Sequence, residues 1–585
     1  MVTKLDARTA ALLTVLGAAA CLGNVGTMGG DSSGPGGLGS SDGGGGASSG
    51  GSPGGSATAA STEAGSTAAG DAGGGLQCAQ DASFAPARLS LITDDQYRNI
   101  VRDAFGVTFP TSVNVTEPPS TSGSYSYNEN AQVETTTVQA YLRAADQVAA
   151  LIPSIPTCTA SLNATCMQQY LQNTLPSAWR RPVTDAEMAG LIAIFTSAAM
   201  DGQARQIQLT MEAALIHPAF LYRSEIGTNA ATATGKIQLT PYELASSVSF
   251  ALLNSSPDAE LWAKAQDGTI TQPQVLAAEV ARLVGLPTVQ ANLMKLVSYY
   301  LDFETLPFTS KDPTAYPGFA ALQSTLYESS QMFLSDIMWS GHFSDLFTSR
   351  RIYANEAMAA AYGLPAVSGT QLQAITTSGD AYSGGVLTQP ALLAASNKNA
   401  IGDDVIHRGL WVYYNLLCAP PLPPPPANAS AVAATITGST RQQSITRDTT
   451  CGAGCHGRFD PFGLVTLSYD GIGRYRTTDP TTTPPGGPID DSATVPAGVL
   501  QDQPQMPIML VGVSDVAELF TSGRQVSDCA ADNLATYTLE HSPDVEGSCA
   551  LQTVKDRFHQ VGSFPDLFTS ILTSPAFLTR DIEGP

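Results

Sequence analysis

The stretch Thr184-Asp185-Ala186-Glu187, followed by Met188, Leu191, Ile192 and Phe195, reads as the start of an amphipathic helix. Threonine three residues ahead of a carboxylate is the reciprocal capping arrangement that opens a helix, and the apolar residues after it recur at helical spacing. The device occurs twice more. Thr93-Asp94-Asp95-Gln96 precedes Tyr97, Ile100, Val101, Ala104 and Phe105, and Thr240-Pro241-Tyr242-Glu243 precedes Leu244, Val248, Ala251 and Leu252, with proline at the first helical position. Three separate start signals predict a mainly α body of several consecutive helical modules. Strand signals are sparse: residues 508–513 are the best short candidate, and the Pro/Gly/Thr-rich run 477–496 reads as loop or hairpin. A small loop-rich, β-containing segment is therefore expected around residues 475–515.

Composition bounds what such a body does. The chain has 585 residues, with 51 Asp+Glu against 28 Lys+Arg and a net charge of −23, which argues against nucleic acid as a partner. The first twenty-one residues carry Lys4 and Arg8 in a short polar head, an apolar run from Ala10 to Ala20, and then Cys21, the pattern of a secretory signal. Leu16-Gly17-Ala18-Ala19-Ala20-Cys21 also resembles the lipobox of bacterial lipoproteins, which makes Cys21 the expected lipid attachment site; Ala18 stands where Leu is commoner, so ordinary cleavage is the alternative. Residues 22–77, nearly all Gly, Ser, Ala and Thr, bury too little apolar surface to offset their ordering entropy and read as a disordered tether with a reach on the order of 40 Å. The chain is expected to be exported: an outer-membrane, periplasm-facing or cell-surface lipoprotein.

Beyond the tether, the signals divide the chain into helical modules at 78–150, 151–230, 236–365, a Cys-His module at 380–478, and a C-terminal module at 508–582. The run Pro420 to Pro426, broken by Leu422, reads as a stiff extended separator. Leu215-Ile216-His217-Pro218-Ala219-Phe220-Leu221-Tyr222-Arg223 recurs as Leu572-Thr573-Ser574-Pro575-Ala576-Phe577-Leu578-Thr579-Arg580. Two equivalent docking surfaces would use such a repeat; a shared way of ending a helix and anchoring a phenylalanine explains it more simply.

Nine cysteines are present, eight besides Cys21, and in an exported chain oxidation is the default. Cys158 with Cys166, and Cys529 with Cys549, are close enough in sequence for local bridges. Cys78, Cys418, Cys451 and Cys455 remain, and connectivity does not follow from spacing.

The densest reactive cluster is Cys451-Gly452-Ala453-Gly454-Cys455-His456. Two thiols followed by an imidazole is the arrangement that attaches haem covalently, the sulfurs forming thioethers and His456 ligating iron. The usual spacing has two residues between the thiols and this one has three, so a small Cys451–Cys455 disulfide with an incidental histidine is equally permitted. Met506 and Met509 are the candidates for a second iron ligand; for Met509 the alternative is a core position in a short strand. Zinc has too few neighbouring ligands. The histidines at 217, 342, 407, 541 and 559 have no ligand at metal spacing and read as packed or surface residues. Gly50-Gly51-Ser52-Pro53-Gly54 matches a nucleophile-elbow pattern in letters only, and no metalloprotease or phosphate-loop signature occurs.

Tyr97 to Asp103, Trp179-Arg180-Arg181-Pro182-Val183, the Pro218 to Arg223 stretch, Gly385-Val386-Leu387-Thr388, His407 to Val412 and Asp470-Gly471-Ile472-Gly473-Arg474-Tyr475-Arg476 together resemble a known family. These are the exported multidomain proteins of planctomycetes and myxobacteria built from cytochrome-associated domains of unknown function, numbered 1587, 1595, 1592, 1588 and 1585 in order. Ser514 to Arg580 resembles the last of them. Many relatives carry Leu-Glu where this chain has Thr466-Leu467, so a role for that carboxylate is absent here, and Asp470 is expected to pair with Arg474 or Arg476. The resemblance implies no established activity; the Cys451/Cys455/His456 element points to a c-type-haem-like redox or electron-transfer component, which the Cys21 lipid would hold to the cell-envelope membrane and whose negative charge would favour a basic redox partner. The alternative is a non-catalytic envelope scaffold whose cysteines are all structural.

Overall fold

The computed structural model describes residues 85–108, 110, 135–152, 155, 158, 162–228, 236–422, 436–451, 455–502, 505–541 and 550–582. The leader, Cys21, the tether, Cys78, Pro423 to Pro426 and Cys549 lie outside the described residues, which all belong to one unit, Cys78–Pro585.

The first part of this unit contains β1 (Arg88–Leu91), α1 (Asp94–Phe105), α2 (Thr135–Ala149), α3 (Ala164–Trp179), α4 (Asp185–Ser197), α5 (Gln203–Leu215), α6 (Pro218–Leu221) and β2 (Tyr222–Glu225). Capping boxes open α1 and α4: the Thr93 and Thr184 hydroxyls accept the backbone N–H three residues on, while Gln96 and Glu187 reach back to the cap N–H. Tyr97, Ile100 and Val101 fill the inner face of α1, where the Tyr97 ring meets Tyr141 and Phe220 at 6.2 and 5.1 Å. On α4 the core takes Met188, Leu191 and Phe195, but Ile192 stays at the edge of an open cleft.

The rest runs through β3 (Lys236–Gln238), α7 (Pro241–Leu253), α8 (Ala259–Gln266), α9 (Pro273–Val284), α10 (Pro287–Tyr300), α11 (Phe319–Ser340), β4 (Arg351–Ala354), β5 (Gln373–Thr376), α12 (Val405–Trp411), α13 (Thr440–Cys451) and α14 (His456–Leu464). It continues with β6 (Thr478–Asp479), β7 (Gly487–Pro488), β8 (Ser492–Val495), β9 (Ile508–Val511), α15 (Gln525–Leu539), α16 (Phe564–Thr573), α17 (Pro575–Leu578) and β10 (Thr579–Asp581). Thr240 caps α7 as a third box, with Pro241 at its first position. The fold is mainly α. Among the described residues the strands form five two-stranded antiparallel pairs, β1–β2, β10–β3, β4–β5, β6–β7 and β8–β9.

One apolar core takes Ala85 near the start of the unit and then side chains from Leu239 to Phe577, drawing on every expected module after the second. Phe343 shows how it is shared: its ring lies 5.6 Å from Phe347, 5.1 Å from Phe558 and 6.0 Å from Phe564, joining the central helices to the C-terminal ones. No helix among the described residues is long and apolar enough to cross a membrane.

The repeated Pro-Ala-Phe-Leu segments build the same unit twice. A serine or histidine caps a one-turn helix with proline at its start, the phenylalanine is buried, and a short strand follows. β2 pairs with β1 and β10 pairs with β3. The repeat is a packing device that ties chain ends into the body.

Candidate Cys-His site

Two glycine contacts fix the helix that carries His456. A Cβ on Gly409 of α12 would stand 2.1 Å from the Phe459 carbonyl oxygen, and one on Gly463 of α14 would stand 1.9 Å from that of Val405. The two helices therefore cross antiparallel with their backbones in contact, which only residues without a side chain permit. α13 closes over the start of α14 in the same way, Asp448 filling the space where a Gly457 side chain would lie, at 2.7 Å.

Cys451 is the last residue of α13, residues 452–454 lie outside the described set, and Cys455 sits at the cap position before His456. The Cys455 thiol is half-buried and free. The small Cys451–Cys455 disulfide allowed by the spacing is therefore not formed.

His456 Nδ1 lies 3.2 Å from Asp460 Oδ1, one helical turn on, and its ring rests against Phe459 at 5.0 Å. Asp460 is 2% exposed. Its second oxygen accepts the Ser444 hydroxyl at 2.5 Å and faces Arg447 at 3.5 Å, both on α13. The carboxylate thus holds the imidazole from one side and the neighbouring helix from the other. With Nδ1 facing a carboxylate, the proton belongs on that nitrogen and Nε2 is the lone-pair nitrogen left for a ligand, the orientation that metal-ligating histidines use.

Met506 and Met509 are not brought to this imidazole. Ala493 and Val495 of β8 are buried on the side that packs against α14, whereas Thr494 and its register partner Met509 point outward. Met509 is 71% exposed and Met506 is 72% exposed, so neither is a core residue. Strand alternation decides this, because Met509 is one residue away from buried Leu510. The strand itself ends at Val511, where Gly512 begins the next helix.

Among the described residues, cysteines elsewhere pair as Cys158–Cys166 and Cys418–Cys529. The second replaces the expected local bridge from Cys529 to Cys549, since α15 packs its Cys529 against the segment that follows α12. Asp470 is likewise corrected: its Oδ1 accepts the backbone N–H groups of Ile472 and Arg474, shaping a turn, while Arg476 binds Asp403 at 2.5 Å.

A second histidine–carboxylate pair escaped the sequence reading. His407 Nδ1 lies 2.7 Å from Asp404 Oδ2 at the start of α12. Burial pushes the Asp404 carboxyl up, but hydrogen bonds from the His407 side chain and backbone hold it below the usual range. The Asp-x-x-His spacing on a helix start was the available signal, as His-x-x-x-Asp was for His456 and Asp460. His217 stacks on Trp179 at 4.1 Å and burial pushes its pKa down, as befits a packed residue.

The donor set fits covalent haem in its chemistry: a thiol not consumed by a disulfide, and beside it an imidazole anchored through Nδ1. No cluster of three or more His, Cys, Asp or Glu side chains suited to a metal ion occurs among the described residues.

A run of short helical modules, several sharing one core, with a single Cys-His element in the fourth, defines a mainly α multi-module protein. Family models match it in order: DUF1587 (PSD3) over residues 91–152, DUF1595 (PSD5) over 166–225, DUF1592 (PSD4) over 239–364 and DUF1588 (PSCyt3) over 383–479, each a protein of unknown function. The chain belongs to the family built from these planctomycete cytochrome-associated domains. No curated protein and no solved structure matches it.

Proposed function

We propose that the chain is an exported, membrane-tethered redox component in which Cys455 and His456 hold a covalent haem. The observation that carries this reading is the free Cys455 thiol next to an imidazole whose Nδ1 faces a buried carboxylate. Haem, when bound there, would supply a one-electron couple. The protein's own groups have separate tasks: Cys455 anchors, Cys451 four residues earlier in the sequence being the second cysteine of the pattern; His456 presents Nε2; Asp460 fixes the ring; Ser444 and Arg447 hold Asp460.

Export and a lipid at Cys21 accord with the leader and with two disulfides, which persist in oxidising compartments. A net charge of −23 favours a basic redox partner and an association rate that falls as salt rises.

The test is expression of the full chain in a periplasm supplied with haem-maturation machinery. The expected product is red, with a Soret band that survives acid–acetone extraction and is lost or extractable in Cys455→Ser. A colourless, iron-free product under these conditions would sink the redox reading and leave the envelope scaffold.

A further inference from the structure

A cleft of about 980 Å³ lies between α3, the start and outer face of α4, and α8, well within the size range of ligand sites. Trp262 and Gln266 of α8 form one wall, Gln168 and Gln172 of α3 the other, and Met188 and Ile192 of α4 the floor. The Trp262 ring is braced by Tyr242, centroid to centroid 5.2 Å. The carboxamides of Gln168, Gln172 and Gln266 make no hydrogen bond among the described residues. Among the described residues, Asp185, at the first turn of α4, is the one ionisable side chain in the lining.

From this arrangement we propose that the cleft binds a neutral, hydroxyl-rich chain, an oligosaccharide. A pyranose ring has an apolar C–H face and an equatorial rim of hydroxyls. The Trp262 face suits the first, and unengaged carboxamides, each both donor and acceptor, suit the second. Gln168 and Gln172, four residues apart, stand roughly 6 Å apart along α3, comparable with the length of one sugar unit.

Other ligand classes fit less well. A phosphate, sulfate or nucleic acid needs a cation, and none among the described residues lines the cleft. An acyl chain would strip water from three carboxamides and return nothing. An extended peptide seeks a run of main-chain partners, and apart from helix ends and the Gln172 carbonyl left free by Pro176, the three helices spend theirs internally.

The full chain, titrated with cellohexaose, xylohexaose, maltohexaose and laminarihexaose, tests this by tryptophan fluorescence and calorimetry, with myristate and a decaproline peptide as the competing probes. At least one hexaose is expected to bind saturably. Trp262→Ala should weaken that binding by about tenfold or more, and Gln172→Ala, an exposed change with little effect on the melting curve, by severalfold. The proposal is overturned if no hexaose binds, if binding survives Trp262→Ala undiminished, or if only myristate or the peptide binds. Haem content plays no part in any of these outcomes.

Discussion

Glu187 shows how much one side chain does in this fold. It closes the capping box of α4, accepts Arg181 at 2.5 and 3.1 Å, and takes the Thr184 N–H and hydroxyl at 2.9 Å. Burial works against its charge, but these hydrogen bonds outweigh that and hold the carboxyl at about 2. Its folded pKa lies below the unfolded value, so its contribution is complete above about pH 4.5 and drains away as pH falls toward 2. Glu187→Gln should therefore lower stability by about 1–2 kcal/mol at pH 7, after allowance for partial exposure of the pair. Urea titrations of both proteins should show the gap narrowing between pH 5 and pH 3; a gap constant with pH would mean the charge contributes nothing. The Glu187 cap was legible because its partners are three to six residues away. Asp460 was legible only in half: its contact with His456 follows from helical spacing, but its contacts with Ser444 and Arg447 depend on how α13 meets α14.

At the scale of elements, helix starts were readable and helix crossings were not. Thr93, Thr184 and Thr240 announce α1, α4 and α7 by local chemistry that survives in any tertiary setting. Gly409 and Gly463 carry no such local sign; each lies within a helix, and its role appears only when the partner backbone is known. Neither needs an unusual backbone conformation, so alanine at either position acts through sterics alone. Gly463→Ala and Gly409→Ala should each force α12 and α14 apart and destabilise the body by about 1–3 kcal/mol or more. If the crossing sets the place of His456, both changes should also lower haem incorporation in the maturation assay, more than alanine at half-buried Arg458 on the same helix. Equal yields from all three would separate the site from the crossing. The pairing of Cys418 with Cys529, 111 residues apart, was hidden for the same reason. Closing so long a loop restricts the unfolded chain, and Cys418→Ser is expected to cost about 2–5 kcal/mol, read as a lowered melting temperature.

Across the whole molecule, three distant segments meet at Glu225. Its carboxylate receives Arg88 Nε at 2.8 Å, Arg580 Nε at 2.9 Å and the Ser247 hydroxyl at 2.9 Å. Beside it Glu540 receives Gln96 and Arg223, each at 2.5 Å. Burial pushes the Glu225 carboxyl up, but Arg580, Arg88 and Arg223 together hold it well below the usual range. The two arginines of the sequence repeat thus serve crossed roles: Arg580 of the last module binds Glu225 of the second, while Arg223 of the second binds Glu540 near the end. A buried ion pair adds little net stability over an apolar pair, but a buried charge left without its partner is costly. Glu225→Gln should accordingly cost about 3–5 kcal/mol, because Arg580 is 3% exposed and cannot reach water. Arg580→Met in the wild-type background should also destabilise, yet Glu225→Gln combined with Arg580→Met should recover part of the loss, giving a coupling energy of about 1–3 kcal/mol in a double-mutant cycle. Strict additivity would show that the clasp between the chain's ends is held by its strands, β1–β2 and β10–β3, and not by its charges.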